Sequence, residues 1–290
     1  MKFIALDVGG TKLTAATVDD HGTVLERVDA PTPAQGEAEE MWAAVTVIIG
    51  MLARSGEAVA VGCGCGGPMQ RGGTSVSPLN IPAWRAFRLR DRLEESTALP
   101  VFIDNDAKAL ALGEGRFGAA RGHANFLGMV VSTGIGGGIV LDGRLLDGAD
   151  ANAGHVGHVI VEPDGRRCVC GARGCVEAEA SGTAIAEITG RPAAEAPIDL
   201  RVRTGRLVGR AIANVANLLD LDLAVVAGSV ALGYGDTFFT AAQAEIDERC
   251  RLEFARGTRV VAAELGASGP IVGAACVALA NYGSPTTAGR

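Results

Sequence analysis

Two glycine-rich turns, each placed between two apolar segments, constrain the fold of this chain more than any other feature. The first follows a strand-like segment that ends at Asp7, and it includes Gly9 and Gly10. The second runs from Ser132 to Gly138. The two strand–turn–strand units lie roughly 120 residues apart with low residue identity, a pattern that indicates internal duplication. We therefore expect a duplicated α/β chain that binds its ligand in a cleft between its halves.

Hydrophobic periodicity predicts alternating strands and helices along the rest of the chain. Helices are predicted at about 37–54, 88–97, 106–117, 204–219, 236–251 and after Gly269-Pro270. Beyond the first meander, strands are predicted at about 59–63, 100–104, 126–131, 139–141, 223–227 and 258–261. We predict a small α/β domain from 1–106 plus about 270–290, and a large α/β domain from 107–269.

Composition excludes several classes of protein. Hydrophobic residues make up 48% of the 290 residues and charged residues 20%, which is enough for a sizeable core. A net charge of −7 argues against a nucleic-acid partner, because phosphate binding needs a basic face. The chain shows neither a secretory signal nor an apolar run that could cross a bilayer. We expect a cytoplasmic protein with no membrane partner.

The first glycine turn is a candidate phosphate site made of Asp7, Gly9, Gly10, Thr11 and Lys12. Paired glycines let backbone N–H groups turn toward one anion, and a lysine adds positive charge. Asp7 could hold a metal-bound water. Because strands lie on both sides, the turn is neither a P-loop nor a dinucleotide fingerprint. A plain β-hairpin turn is the alternative.

The second turn has more glycines than a hairpin requires. Its candidate phosphate contacts are Ser132, Thr133, Gly134, Gly136 and Gly137. Two such loops in a duplicated fold point to a nucleoside triphosphate bound from both sides. A weaker signal is Gly228-Ser229, at the end of a predicted strand, where small residues could admit an adenine or a ribose.

Asp104-Asn105-Asp106 lies where a predicted strand ends and a helix begins. This is the position at which α/β proteins place ligand groups. Phosphoryl transfer to an alcohol needs one carboxylate to accept the hydroxyl proton, while Mg²⁺ and backbone dipoles neutralise the phosphate. Asp106 is the candidate base and Asn105 a candidate hydroxyl ligand. The alternative is a helix N-cap without catalytic function.

The cysteines indicate a metal site. They number seven, an odd count, which argues against a disulfide framework. One His and three Cys supply the four soft ligands of a tetrahedral structural zinc: His158, Cys168, Cys170 and Cys175. Such a closed site disfavours a zinc hydrolase; unpaired surface thiols are the alternative. The other cysteines are predicted to be small buried side chains. Glu177, two residues after Cys175, could accept hydrogen bonds from sugar hydroxyls or could be a solvated acid.

These segments together resemble the ROK family (repressors, open reading frames, kinases), which has the two-domain, ribonuclease H-like fold of the actin/hexokinase ATPases. The matching motifs begin at Asp7, Gly66, Asn80, Asp104, Gly113, Ser132, Ala153, Cys168 and Ala227. The resemblance implies ATP-dependent phosphorylation of a hexose hydroxyl, the 6-OH as in glucokinases, with Mg²⁺ accompanying ATP. It also implies a homodimer.

The resemblance assigns a role to each motif. Asp106 would be the base. The sugar contacts would be Asn105, His158, Glu177, Gly67 and Asn80. His158 would bind zinc through one ring nitrogen and face the sugar with the other. The glycine loops would line the ATP phosphates, and Gly228 with Ser229 would border the nucleoside.

One residue departs from the family pattern. Where the family has Glu-x-Gly-His, this chain has His155-Val156-Gly157-His158. A neutral imidazole accepts only one hydrogen bond, so His155 adds alternatives to glucose as the substrate: mannose, an amino- or N-acetylamino-hexose, or a cyclitol. A sugar-binding regulator without catalysis is the alternative function. The family's repressors carry a helix-turn-helix before the kinase-like body, for which the position of Asp7 leaves no room.

Overall fold

The computed structural model describes residues 1–33, 37–54, 56–79 and 81–283. The chain forms two compact units. Unit 1 comprises Met1–Phe117, Asp147–Asn152 and the segment that starts at Ala267. Unit 2 comprises Gly118–Leu146 and Ala153–Gly266. Within the described ranges, every helix is too short or too polar to span a lipid bilayer.

Unit 1 is built on a five-stranded sheet with four helices. Its strands are β1 (Lys2–Val8), β2 (Lys12–Asp19), β3 (Val24–Pro31), β4 (Ala58–Cys65) and β5 (Val101–Asn105), and its helices are α1 (Ala38–Ala53), α2 (Leu89–Thr97), α3 (Asp106–Phe117) and α9 (Gly269–Asn281). The strand order is β3-β2-β1-β4-β5. β1, β4 and β5 are parallel, whereas β2 and β3 are antiparallel to their neighbours.

Small residues allow close packing in unit 1, where aromatic side chains are few. Gly62 of β4 lies directly against the carbonyl of Ala274 in α9, so that no side chain fits between sheet and helix at this point. Trp84 and Phe87 stack with ring centroids 4.3 Å apart. Cys63 and Cys65 of β4 are fully buried in this core, as predicted.

Unit 2 repeats the topology of unit 1. Its strands are β6 (Phe126–Val131), β7 (Ile135–Leu141), β8 (Arg144–Leu145), β9 (Leu223–Ala227) and β10 (Arg259–Ala262), and its helices are α4 (Val176–Ala180), α5 (Gly182–Thr189), α6 (Ile198–Leu219), α7 (Ser229–Tyr234) and α8 (Asp236–Arg249). The order β10-β9-β6-β7-β8 matches that of unit 1 when β6 takes the place of β1 and β7 that of β2. The predicted α/β fold with internal duplication is therefore confirmed.

The predicted elements differ from the observed ones in a few places. The turn predicted over Ser132 to Gly138 was too long, because Gly136 to Gly138 belong to β7 and pair with β6. Gly137 packs so closely against Val156 and the carbonyl of Gly154 that no side chain fits there. Helix α6 begins at Ile198, directly after Pro197, six residues before the predicted start at 204.

Four elements of unit 2 were not predicted. They are β8, α4, α5 and α7. Each is too short for its hydrophobic period to be visible in the sequence. Helix α3 and the segment Asp147–Asn152 pack within unit 1. The domain division of the sequence analysis stays a prediction.

Candidate functional site

Asp7 and Asp106 lie at the same edge of the unit 1 sheet. In the strand register, Asp7 is opposite Gly64 and Gly64 is opposite Asp104. A Cβ atom placed on Gly64 would lie 3.8 Å from Asp7 Oδ1 and 3.5 Å from Asp106 Cα. The carboxyl ends of parallel strands thus bring the two predicted carboxylates together, with the bare backbone of Gly64 between them.

The Asp7 carboxyl has a strongly altered acidity. Burial, followed by the neighbouring charge of Asp106, raises the pKa of Asp7 from 3.8 to about 7. The positive charge of Lys12 opposes this shift but does not cancel it. A carboxylate pair of this kind binds either a proton or a cation at neutral pH.

Asn105 and Asp106 both contact the first turn of α3. The side-chain oxygen of Asn105 accepts a hydrogen bond from the Ala107 N–H at 3.0 Å. Oδ1 of Asp106 accepts one from the same N–H at 2.9 Å. The Asn105 oxygen therefore caps helix α3, as the alternative interpretation of this segment predicted. The Asn105 amide nitrogen is the atom that could contact a ligand.

A buried lysine supports this segment from one helical turn away. Lys108 is 1% exposed, and its ammonium group lies 2.9 Å from an oxygen of Asp104 and 2.9 Å from an oxygen of Asp147. Asp104 Oδ1 also accepts the N–H of Asn105 at 2.8 Å. Lys108 therefore fixes the backbone just before Asp106. Sequence analysis missed this residue, because Asp147 is distant in the chain.

Thr32, the residue directly after β3, fixes the first glycine turn through two hydrogen bonds. Thr32 donates its N–H to the Thr11 carbonyl at 3.1 Å and its hydroxyl to the Gly9 carbonyl at 2.7 Å. Carbonyls fixed in this way cannot turn toward an anion. The Lys12 ammonium lies 3.4 Å from Asp29 Oδ1. Gly67 follows β4, and its carbonyl accepts the Leu79 N–H at 3.2 Å, whereas Asn80 lies outside the described residues.

A threonine fixes the second glycine turn in the same manner. Thr183 of α5 donates its N–H at 3.1 Å and its hydroxyl at 3.0 Å to the carbonyl of Thr133. The Gly182 N–H donates to the Ser132 carbonyl at 2.7 Å. Neither Thr32 nor Thr183 was predicted as a site residue. The sequence carries no signal for either residue, since a hydroxyl that binds a backbone carbonyl has no sequence pattern.

Gly228 and Ser229 lie beside this turn in unit 2. The hydroxyls of Ser132 and Ser229 are 3.0 Å apart. Gly228 has a φ of 102° and packs directly against the Val131 backbone, so no other residue fits there. Unit 2 thus brings the second glycine turn and the predicted nucleoside contacts together.

Four side chains form a possible metal site in unit 2: His158, Cys168, Cys170 and Cys175. Their ligand atoms all lie within 4.8 Å of one another. His158 Nδ1 is 3.6 Å from Cys168 Sγ, and Cys170 Sγ is 3.7 Å from Cys175 Sγ. Burial raises the pKa of Cys175 to about 12. This thiol would therefore be deprotonated at neutral pH only when a cation binds to it.

The loop that carries these ligands is fixed to α6 through an ion pair whose carboxylate, that of Glu179, is buried. The Glu179 side chain is 3% exposed, and its carboxylate accepts the Arg166 N–H at 2.6 Å and pairs with Arg203 at 2.6 Å. Arg203 also donates to the Glu179 carbonyl at 3.0 Å. A second pair on the same loop, Arg166 with Glu187, is exposed.

The predicted sugar contacts of unit 2 lie around the second glycine turn. Oε2 of Glu177 accepts the Ile135 N–H at 2.9 Å. The rings of His155 and His158 are nearly parallel, at 14°, with centroids 6.3 Å apart. Because His158 Nδ1 faces Cys168, its Nε2 points away from the thiols. The predicted residues therefore form two sets, one in each unit.

Comparison with known proteins identifies similar chains. The model of the ROK family matches residues 3–281. A glucokinase of Thermotoga maritima is 41% identical over 187 residues, which are 64% of this chain and 59% of that protein. An N-acetylmannosamine kinase of Citrobacter koseri is 37% identical over 251 residues, 81% of this chain and 86% of that protein.

A solved structure has the same fold over nearly all of the chain. The ROK family glucokinase from Streptomyces griseus, crystallised with glucose and AMPPNP, superimposes with a TM-score of 0.83 at 31% identity. The match covers 95% of this chain and 98% of that one.

Proposed function

The chain belongs to the ROK family, and we propose that it is an ATP-dependent sugar kinase that phosphorylates an N-acetylhexosamine, with N-acetylmannosamine as the first candidate. The observation that carries the kinase proposal is the juxtaposition of Asp7 and Asp106 at the strand ends of unit 1. One carboxylate can serve as a base while the other binds the cation that accompanies ATP.

Asp106 is the proposed general base. It would accept the proton of the sugar 6-hydroxyl as that oxygen attacks the γ-phosphorus of ATP and the bond to ADP breaks. Its Oδ1 bond to the Ala107 N–H fixes the carboxylate at the start of α3. Asn105, whose oxygen caps the same helix, would donate a hydrogen bond to the sugar from its amide nitrogen.

Asp7 is the proposed partner of the Mg²⁺ that enters with ATP. Burial and the charge of Asp106 raise its pKa to about 7, so in the absence of a cation it binds a proton more readily than an ordinary carboxylate does. A divalent cation would return it to the charged form. Mg²⁺ would supply charge neutralisation at the β- and γ-phosphates.

The two glycine turns are the proposed phosphate contacts, through Gly9 to Lys12 and Ser132 to Gly134. Thr32 and Thr183 support this assignment, because they bind turn carbonyls and so keep these from an anion. The Gly9 and Ser132 N–H groups donate within the turns, to the Lys12 and Gly134 carbonyls, so the phosphate donors would be N–H groups of the other turn residues. Gly136 and Gly137 pair within the sheet and would line the site by allowing close approach. Gly228 and Ser229 would border the nucleoside.

Zinc is the ion proposed for the His/Cys cluster. Tetrahedral coordination at about 2.3 Å for sulfur and 2.0 Å for nitrogen separates ligand atoms by roughly 3.5–3.8 Å. The distances of 3.6 and 3.7 Å in the cluster agree with this spacing. Four protein ligands leave no position for a substrate, so the ion would be structural. With Nδ1 of His158 on zinc, its Nε2 would carry a proton and could donate to a sugar hydroxyl.

His155 supports an acetamido sugar as the acceptor. A carboxylate only accepts hydrogen bonds, whereas a neutral imidazole donates one and accepts one. An acetamido group offers a carbonyl acceptor and an N–H donor, and it therefore suits an imidazole better than a carboxylate. The similarity to N-acetylmannosamine kinases across 81% of the chain supports the same substrate.

Glucose is the second candidate substrate. The similarity to the glucose-bound Streptomyces griseus enzyme favours it, as does the 41% identity to the Thermotoga maritima glucokinase. Mannose and cyclitols remain lesser candidates. We further propose a homodimer and a cytoplasmic location; the location is in keeping with seven cysteines of which none is paired in a disulfide.

A turnover assay tests the proposal. The protein with Mg²⁺-ATP is supplied separately with N-acetylmannosamine, N-acetylglucosamine, mannose and glucose. ADP formation and the mass of the sugar phosphate are then measured. We expect the highest kcat/KM for N-acetylmannosamine. Sugar binding without turnover of any sugar would replace the kinase proposal by that of a sugar-binding regulator.

A further inference from the structure

We propose that Glu177 is a positioning residue for the nucleotide as well as a sugar ligand, so that sugar and ATP each strengthen the binding of the other. This inference rests on the proposed function, since it requires a sugar beside Glu177 and phosphate beside the turn from Ser132 to Gly134. Its structural basis is the hydrogen bond between Glu177 and the backbone of Ile135.

The Glu177 carboxylate packs directly onto the second glycine turn. Besides the 2.9 Å bond to the Ile135 N–H, Oε2 would lie 2.9 Å from a Cβ atom placed on Gly134. On the other side of the turn, Gly157 packs against the Ile135 carbonyl. A Cβ atom placed on Gly157 would lie 3.5 Å from Glu177 Cβ. The peptide group that precedes Ile135 is therefore fixed at its N–H by the Glu177 side chain, while its carbonyl accepts the Ser132 N–H at 2.9 Å.

The two oxygens of this carboxylate have different surroundings. Among the described residues, the hydrogen bond to the Glu177 side chain is made at Oε2. Oε1 is thus the oxygen that a sugar hydroxyl can reach without displacing Ile135. A sugar hydroxyl bound to Oε1 and the Ile135 N–H bound to Oε2 would both favour the same rotamer of the Glu177 side chain.

Shared ordering gives the sign of the effect. The first ligand to bind bears the entropic cost of fixing the Glu177 side chain and the turn. The second ligand then binds to an already ordered site, so its affinity rises. By thermodynamic reciprocity, the factor must be the same for sugar acting on nucleotide and for nucleotide acting on sugar.

The contacts of Thr183 offer a matched comparison. Thr183 fixes the same turn through the Thr133 carbonyl, but it comes from α5, and the proposed sugar contacts do not include it. Its loss should weaken nucleotide binding by the same factor with and without sugar. The loss of Glu177 should instead abolish the difference between the two conditions.

Calorimetric titration of the zinc-loaded full-length protein tests the inference. Mg²⁺-AMPPNP is titrated with and without saturating N-acetylmannosamine, using wild type, Glu177→Gln and Thr183→Val. In wild type we expect the sugar to lower the Kd of the analogue about five-fold or more. In Glu177→Gln, whose amide has a single acceptor oxygen, the ratio should approach one. In Thr183→Val the Kd of the analogue should rise both with and without sugar, and the ratio of the two Kd values should remain that of wild type.

Hydrogen exchange of wild type supplies a second measurement that needs no variant. N-acetylmannosamine alone should slow exchange at the Ile135 amide. Unchanged exchange there, or a ratio in Glu177→Gln equal to that of wild type, would overturn the inference. In either case turnover of the sugar would leave the kinase function standing. A protein that neither binds nor phosphorylates any sugar would overturn both.

Discussion

Asp7 and Asp106 both lie beside Gly64, and burial together with the charge of Asp106 raises the pKa of Asp7 to about 7. The two carboxylates therefore lower the stability of the fold when both are charged. A functional site often has this property, because groups arranged for a ligand are not arranged for stability.

The acidity of Asp7 predicts how stability depends on pH. The folded-state pKa of about 7 lies above the ordinary value of 3.8, so the folded protein loses stability as pH rises between these values. Asp7→Asn removes this loss. Chemical denaturation should show the variant gaining at least about 1.4 kcal/mol relative to wild type between pH 4 and pH 8.

Asp19→Asn is the control for Asp7→Asn. The backbone N–H of Thr23 lowers the pKa of Asp19, so its contribution to stability is present at neutral pH and is lost as pH falls. The effect of Asp19→Asn should therefore have the opposite sign. Equal pH dependence for Asp7→Asn and wild type would contradict the predicted state of Asp7.

Lys108→Met should destabilise unit 1 strongly. The substitution leaves the partly buried carboxylates of Asp104 and Asp147 without their shared ammonium group. Breaking a buried pair in this way costs about 3–5 kcal/mol. Lys2→Met, which removes an exposed pair with Glu57, should cost less than about 1 kcal/mol. Similar losses in urea denaturation for both variants would refute this account of Lys108.

Metal retention should depend on Glu179 and not on Glu187. Both carboxylates contact Arg166, but only Glu179 is buried and paired with Arg203. Glu179→Gln should speed zinc release to a chromogenic chelator about ten-fold or more, since outer contacts of this kind tune metal affinity. Glu187→Gln should release zinc at the wild-type rate. Equal release from the two variants would count against a positioning role of Glu179.

His155→Glu should change the substrate preference. A carboxylate cannot donate to an acetamido carbonyl, so the ratio of kcat/KM for N-acetylmannosamine to that for glucose should fall about ten-fold or more, the effect of one hydrogen bond. His155→Gln, which keeps an N–H donor, should preserve more of the ratio. Steady-state assays with both sugars give these values, and an unchanged ratio in His155→Glu would remove His155 from the determinants of specificity.

The features that sequence predicted are those encoded locally. The repeated strand–turn–strand pattern predicted the duplicated topology, and four ligands between His158 and Cys175 predicted the metal cluster. The ion pair of Lys108 with Asp147 was beyond reach because its partners are 39 residues apart and lysine is ordinarily exposed. Thr32 and Thr183 were missed because a hydroxyl that binds a backbone carbonyl has no sequence pattern.

The glycines behaved differently from the prediction for a similar reason. A run of glycines predicts a turn, and Ser132 to Gly134 is one. Gly136 and Gly137 are instead in β7, where close packing against Gly154 and Val156 requires a glycine at 137. Conformational freedom and lack of a side chain are both properties of glycine, and the sequence alone does not distinguish which one is used.

The most direct test of the account is single-turnover phosphorylation of N-acetylmannosamine by wild type and Asp106→Asn. The amide keeps the hydrogen bond that Asp106 Oδ1 accepts from Ala107, so the variant should fold and should bind Mg²⁺-AMPPNP and sugar. Without a base, the rate of phosphoryl transfer should fall about 10²–10⁴-fold. A wild-type rate in Asp106→Asn, with both ligands bound, would contradict the central claim.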